Sequence, residues 1–302
     1  MKKIFVFVVL SLTTISTYAQ KEEYLRSVSN VIHLTSYGEG EPILIINGGP
    51  GMNSEGFKYL AKIIGRTNRA IIYDQRGTGK SKIPRVNKET ITIDAMVNDI
   101  EIIRKHLKLD QWVVLGHSFG GMLASYYAAT YPDRIKGLIL SSSGGINMDL
   151  FARINITARL SRTERDSLQY WNAQINKGDT TYHARLQRGK YLAPAYVFNK
   201  ANVPAIAERL TQGNPTINQL VYQSMRHIDF DCTEGLKQLK IPVLIIQGKE
   251  DLIDRTTAET AINALENPTL VLLEKCGHYG WLDQPKAYFE SIDNYLKQLD
   301  IL

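Results

Sequence analysis

At 302 residues, 44% hydrophobic and 22% charged, the chain has the length and balance of one large globular unit or two modest ones, not of a disordered or fibrous protein. The net charge of +6 is scattered along the sequence, so it offers no basic stripe for a nucleic acid. Two cysteines, Cys232 and Cys276, are too few for a disulfide framework and read as small buried side chains, with a single bridge as the alternative. No CxxC or HExxH spacing occurs, and neither a metal nor a cofactor is implied.

The first stretch stands apart from the fold. Lys2 and Lys3 form a basic start, Ile4 to Leu12 a short apolar run, and Thr17-Tyr18-Ala19 supplies the small residues of a cleavage site. The apolar run is far shorter than the roughly 20 residues that span a bilayer. Residues 1–19 are therefore expected to be a signal peptide cleaved after Ala19 or Gln20, with export to the periplasm or outside the cell and no stable membrane insertion. Loss of the two lysines lowers the net charge to about +4.

Short apolar runs then alternate with longer amphipathic segments. Ile43–Ile46, Ala70–Tyr73, Trp112–Leu115, Gly137–Leu140, Val243–Ile246 and Thr269–Leu273 read as strands buried on both faces. Helices are expected at 53–65, 92–107, 119–131, 256–265 and 285–299. That order predicts an α/β fold, a mostly parallel sheet with helices on both faces and the functional loops at the strands' carboxyl edge. Residues 146–234 break the alternation: they are helical, polar and aromatic, and predict a helical cap inserted between two core segments, 20–145 and 235–302. A separate helical domain without a catalytic role is the alternative.

Gly116-His117-Ser118-Phe119-Gly120 matches G-x-S-x-G, and it follows one predicted strand and opens a helix. Such a turn exposes a serine as a nucleophile, and residues two positions away must lack a Cβ for the turn to close. A serine hydroxyl needs a base, and the base an orienting acid. His278, on a loop after the last strand, is the best placed of six histidines. Asp251, after the strand Val243–Ile246, is the acid, with Glu250 and Asp254 as rivals. The backbone N–H groups of Phe119 and of Gly49, in the turn Asn47-Gly48-Gly49-Pro50-Gly51, are the expected oxyanion donors.

With these residues in place the sequence resembles the prolyl aminopeptidase-like (proline iminopeptidase) group of α/β hydrolases. Asn47 to Gly51 is similar to that family's H-G-G-P-G with Asn for His, and Asp74-Gln75-Arg76-Gly77-Thr78-Gly79-Lys80-Ser81 to its D-Q-R-G-x-G-x-S. The order Ser118, Asp251, His278 is the α/β-hydrolase order. The resemblance implies the α/β-hydrolase fold and release of an N-terminal residue, often proline, from short peptides. It also implies carboxylates near the cap that hold the substrate's amine. Where family members carry a glutamate this chain has Ala193 in the cap and Leu252 after Asp251. Glu164, Asp166, Glu208, Asp229 and Asp231 remain as cap acids, and Glu208, Trp171 and Tyr196 are the candidate substrate-binding residues. The leading expectation is an aminopeptidase-like serine hydrolase acting on small peptides; the alternatives are a carboxylesterase on small esters and a non-catalytic ligand-binding protein.

Overall fold

A computed structural model describes residues 20–26, 30–149 and 154–299, and the expected leader, residues 1–19, lies outside them. The strands are β1 (Gln20–Arg26), β2 (Val31–Tyr37), β3 (Pro42–Ile46), β4 (Arg69–Tyr73), β5 (Trp112–His117), β6 (Ile135–Ser141), β7 (Val243–Gly248) and β8 (Pro268–Leu273). They form one sheet in the order β1-β2-β4-β3-β5-β6-β7-β8. β1 pairs antiparallel with β2, and β2 with β4; every other pairing is parallel.

The six strands read from apolar runs are β3 to β8. Along β3 successive residues enter opposite cores: Leu44 and Ile46 belong to one buried cluster, Ile43 and Ile45 to the other. A strand apolar at every position is what burial on both faces requires. Each such fully buried Leu or Ile contributes roughly 2 kcal/mol. β1 and β2 were outside the predicted set. β1 is QKEEYLR and mostly exposed, an edge strand defended by charge, and so carries no apolar signal.

Helices α1 (Lys58–Ile64), α2 (Ile93–His106) and α3 (Phe119–Thr130) lie among the first strands. Then α4 (Arg162–Asn176), α5 (Tyr182–Leu192), α6 (Val203–Leu210), α7 (Pro215–His227) and α8 (Thr233–Lys237) follow one another between β6 and β7 with no strand among the described residues. α9 (Arg255–Ala264), α10 (Gly280–Asp283) and α11 (Pro285–Gln298) complete the chain. Residues of α2, α3 and α9 join the first core cluster, those of α1 and α11 the second, so both faces of the sheet are covered. No helix of the described residues is long and apolar enough to cross a membrane.

The strand order reverses at β3: the chain leaves β3 for β4 on one side and returns to β5 on the other. Loops after strands flanking such a switch diverge and leave a crevice. Ile46, the last residue of β3, is level with Gly116 of β5, so the Asn47–Gly51 turn and the Ser118 turn open side by side into it.

Candidate active site

Ser118 sits between β5 and α3 at φ 56°, ψ −123°, a conformation that costs a residue with a Cβ on the order of 1–3 kcal/mol. The flanking glycines show why the strain is tolerated. A Cβ on Gly116 would lie 2.3 Å from the Gly120 carbonyl oxygen, and one on Gly120 would lie 2.1 Å from that of Ile46. The turn closes only because both positions are bare. α3, buried on nearly all sides, pins its far end.

His278 and Asp251 arrive on neighbouring loops after β8 and β7. These loops are stitched together: Glu250 N–H donates to the Cys276 carbonyl (3.0 Å), and Cys276 N–H to Glu250 Oε2 (2.9 Å). The His278 N–H donates to the Tyr196 carbonyl (2.7 Å), tying the loop to the inserted helices as well. Asp251 Oδ1 lies 2.8 Å from His278 Nδ1 and accepts from Ile253 N–H (3.0 Å). An Nδ1–H held by the carboxylate leaves the Nε2 lone pair free to take a proton. The rival acids are occupied elsewhere, Glu250 with Cys276 and Asp254 as the N-cap of α9.

His117, next to Ser118 in sequence, is no competing base. It is buried between Phe57, Trp281, Tyr279 and His278, the last with its ring centroid 4.6 Å away. Burial, then its neighbours His278 and Arg209, hold it well below the ordinary histidine range, so it stays neutral. Cys232 and Cys276 are buried and unpaired, and burial pushes both thiols up.

The Asp74–Ser81 segment is the scaffold behind the Asn47–Gly51 turn. Gln75 Nε2 donates to the Asn47 carbonyl (2.7 Å), and Asn47 Nδ2 donates to the carbonyls of Gly48 and Met52 (both 3.1 Å). Arg76 is anchored on Asp99 of α2 (2.5 and 3.0 Å). Asp74 Oδ1 accepts from the Ser54 N–H and hydroxyl, both at 2.9 Å, and Oδ2 from Lys80 N–H (2.8 Å), with His33 Nδ1 at 2.9 Å. Burial alone would raise the Asp74 pKa; the hydrogen bonds outweigh it and hold the carboxyl below its usual 3.8. A depressed carboxyl stabilises the fold above its unfolded pKa and loses that as pH falls through the folded one. Asp74→Asn should therefore cost about 1–3 kcal/mol in urea unfolding at pH 7. The gap from wild type should close as pH falls below 3.8, the ordinary value. A gap independent of pH would refute the assignment.

Ser118, His278, Gly49 and Phe119 line one cavity of about 250 Å³. Among the described residues its lining includes no Asp or Glu; Leu252, Ile253, Ile156, Met122 and Tyr222 make it largely apolar. Tyr196 lines it too. Glu208 does not: it is exposed, with its carboxylate on the Tyr182 hydroxyl. Trp171 also lies outside, packed between Tyr170 and His183 on α4 and α5. Both sit on helix faces turned from the cavity. Glu164 closes a capping box with Ser161, and Asp231 accepts from the Thr233 N–H at the start of α8.

One residue at the site carries no motif. Arg209, on α6, is fully buried. Its guanidinium donates to the carbonyls of Gly48 (2.9 Å) and Asn53 (3.1 Å) and to Gln212 Oε1 (3.0 Å), and lies 4.8 Å from the centre of the Phe57 ring. The only sequence trace is Gly56, where a Cβ would lie 2.5 Å from Arg209 Cδ.

A family profile described as alpha/beta hydrolase fold matches residues 41–285. The chain is 32% identical to a proline iminopeptidase of Lactobacillus crispatus (strain ST1), over 87% of this chain and 92% of that one. Among solved structures, an alpha/beta fold family hydrolase from Bacillus anthracis str. Sterne superposes with a TM-score of 0.77 at 17% identity, covering 92% and 99% of the two chains. An esterase from Exiguobacterium antarcticum does so at 0.68 and 21% identity, covering 91% and 98%.

Proposed function

We propose that this chain, which belongs to the alpha/beta hydrolase family and groups in sequence with proline iminopeptidases, hydrolyses small carboxylic esters through a covalent acyl-enzyme on Ser118. The observation that carries the ester reading is the cavity around Ser118, apolar and without a carboxylate among its described lining residues. A substrate's free ammonium brought there would lose its water and gain no counter-charge. An uncharged acyl group loses nothing.

In this mechanism Ser118 Oγ attacks the carbonyl carbon as His278 Nε2 takes its proton. The tetrahedral intermediate collapses, and the alcohol leaves with the proton His278 returns. Water then repeats the sequence and frees the acid. Gly49 and Phe119 N–H groups receive the oxyanion.

Arg209 acts through that turn. The Gly48 carbonyl and the Gly49 N–H are two ends of one peptide unit. The carbonyl accepts from Arg209 (2.9 Å) and Asn47 (3.1 Å), which fixes the plane of the peptide and strengthens its N–H as a donor. Arg209→Met should lower kcat about 10–100-fold with KM nearly unchanged, since the oxyanion exists only after the ground state. Arg209→Lys should recover part of the loss. A change confined to KM would show that Arg209 serves binding instead.

A second reading, release of N-terminal residues from short peptides, is favoured by the 32% identity to a proline iminopeptidase. Wild type assayed on a short-chain aryl ester and on a proline-linked chromogenic amide separates the two. The ester should turn over and the amide should not; efficient amide turnover moves the conclusion to the second reading. The leader-like residues 1–19 support export, and a mature N-terminus at Gln20 or Lys21 would be its direct sign.

A further inference from the structure

We propose that Arg188, assisted by Arg185, forms a subsite for a carboxylate on the substrate, remote from the bond that is cut. This rests on the reading of Ser118 as the nucleophile of a hydrolase for small acyl compounds.

The cavity that holds Ser118 adjoins a larger one of about 550 Å³, and Pro50, Met52, Tyr196, Leu210 and Asn218 line both. The larger cavity has no Asp or Glu among its described lining residues but has Arg185 and Arg188. Three residues apart on α5, the two arginines share a helix face. Arg185 is exposed, and taken alone would be an ordinary solvated cation.

Arg188 differs. It is partly buried, and its Nε donates to Asn172 Oδ1 on α4 (2.8 Å). That leaves the two terminal nitrogens, the pair able to grip a carboxylate side-on. No ion pair of the described residues involves it. Burial holds its pKa below the ordinary arginine value, as expected of a cation deprived of water and given no counter-charge. Its backbone is rigidly placed: a Cβ on the adjacent Gly189 would lie 2.5 Å from the Ala207 carbonyl oxygen, so α5 presses directly on α6. A fixed, half-desolvated guanidinium facing an empty volume is a binding arrangement for an anion. The inner cavity is uncharged and the outer one positive. The substrate that fits both is neutral at the scissile ester and anionic at its far end.

Two measurements test this. Wild type should prefer para-acetoxybenzoate over its methyl ester by about tenfold in kcat/KM, mostly through KM, with the preference shrinking in added salt. Arg188→Gln should bring the ratio near one, and Arg188→Lys should keep part of it, a control if the glutamine variant folds poorly. Independently of turnover, Ser118→Ala protein should bind para-hydroxybenzoate about tenfold more tightly than para-hydroxybenzamide in calorimetry, and the double variant with Arg188→Gln should not discriminate. Equal binding of acid and amide, or discrimination that survives Arg188→Gln, overturns the subsite. Hydrolysis of both esters without preference leaves the ester reading standing and removes the subsite. Discrimination in binding with no hydrolysis of either ester does the reverse.

Discussion

Ser118→Ala should lower kcat on a short aryl ester by roughly a millionfold, leaving only the rate supplied by binding and the oxyanion donors. The size follows from chemistry: alanine has no nucleophile, and no other serine, threonine or cysteine is among the described residues lining the cavity. Thermal unfolding should barely change, because alanine is as strained as serine at φ 56°. Ser118→Gly should be inactive and more stable by about 1 kcal/mol, since glycine occupies that region without penalty. Wild-type turnover by the alanine variant, measured with the ester and confirmed by mass spectrometry for want of an acyl adduct, would sink the nucleophile assignment.

Asp251→Asn should cost about 10³–10⁴-fold in kcat with little change in KM. The substitution keeps the side chain's shape but removes the charge that favours His278 as an imidazolium when it holds the serine proton. It also allows an amide N–H to face Nδ1, which would leave the ring in the wrong tautomer. Glu250→Gln is the control, because Glu250 binds the Cys276 N–H and not the histidine. Its expected kinetic effect is less than about tenfold, with its main cost in stability. If Glu250→Gln lost as much activity as Asp251→Asn, the orienting acid would have to be reassigned.

Much of this protein is local in origin and therefore legible from residue order. An apolar run such as Val113-Val114-Leu115, rich in β-branched residues and followed by glycine, fits a strand buried on both faces, and Thr92, whose side chain accepts the Ala95 N–H, starts α2 within a residue of its expected place. Gly116, Ser118 and Gly120 carry the tight turn in their own sterics. The positions of Asp251 and His278 after successive strands put them on one edge of any parallel sheet.

Other features have no local signature. β1 is polar along its length, and its pairing with β2 compensates for what its side chains lack. Glu208 and Arg209 are neighbours in sequence on α6, yet one turns to solvent and the other to the Gly48 carbonyl. A helix rotates its side chains by about 100° per residue, so the packing of α6 against the core decides which of the two reaches the site.

By itself the sequence determined the six inner strands β3 to β8, the helices between them and the order of Ser118, Asp251 and His278 on loops after successive strands, because strand and helix periods and the steric demands of a tight turn are properties of neighbouring residues. The tertiary structure alone decided what surrounds that serine: a cavity with no acid among its described lining residues, Arg209 behind the Gly48–Gly49 peptide and Arg188 in the adjoining space. Those groups lie 70 to 91 positions along the chain from Ser118, and only the packing of the inserted helices brings them to it.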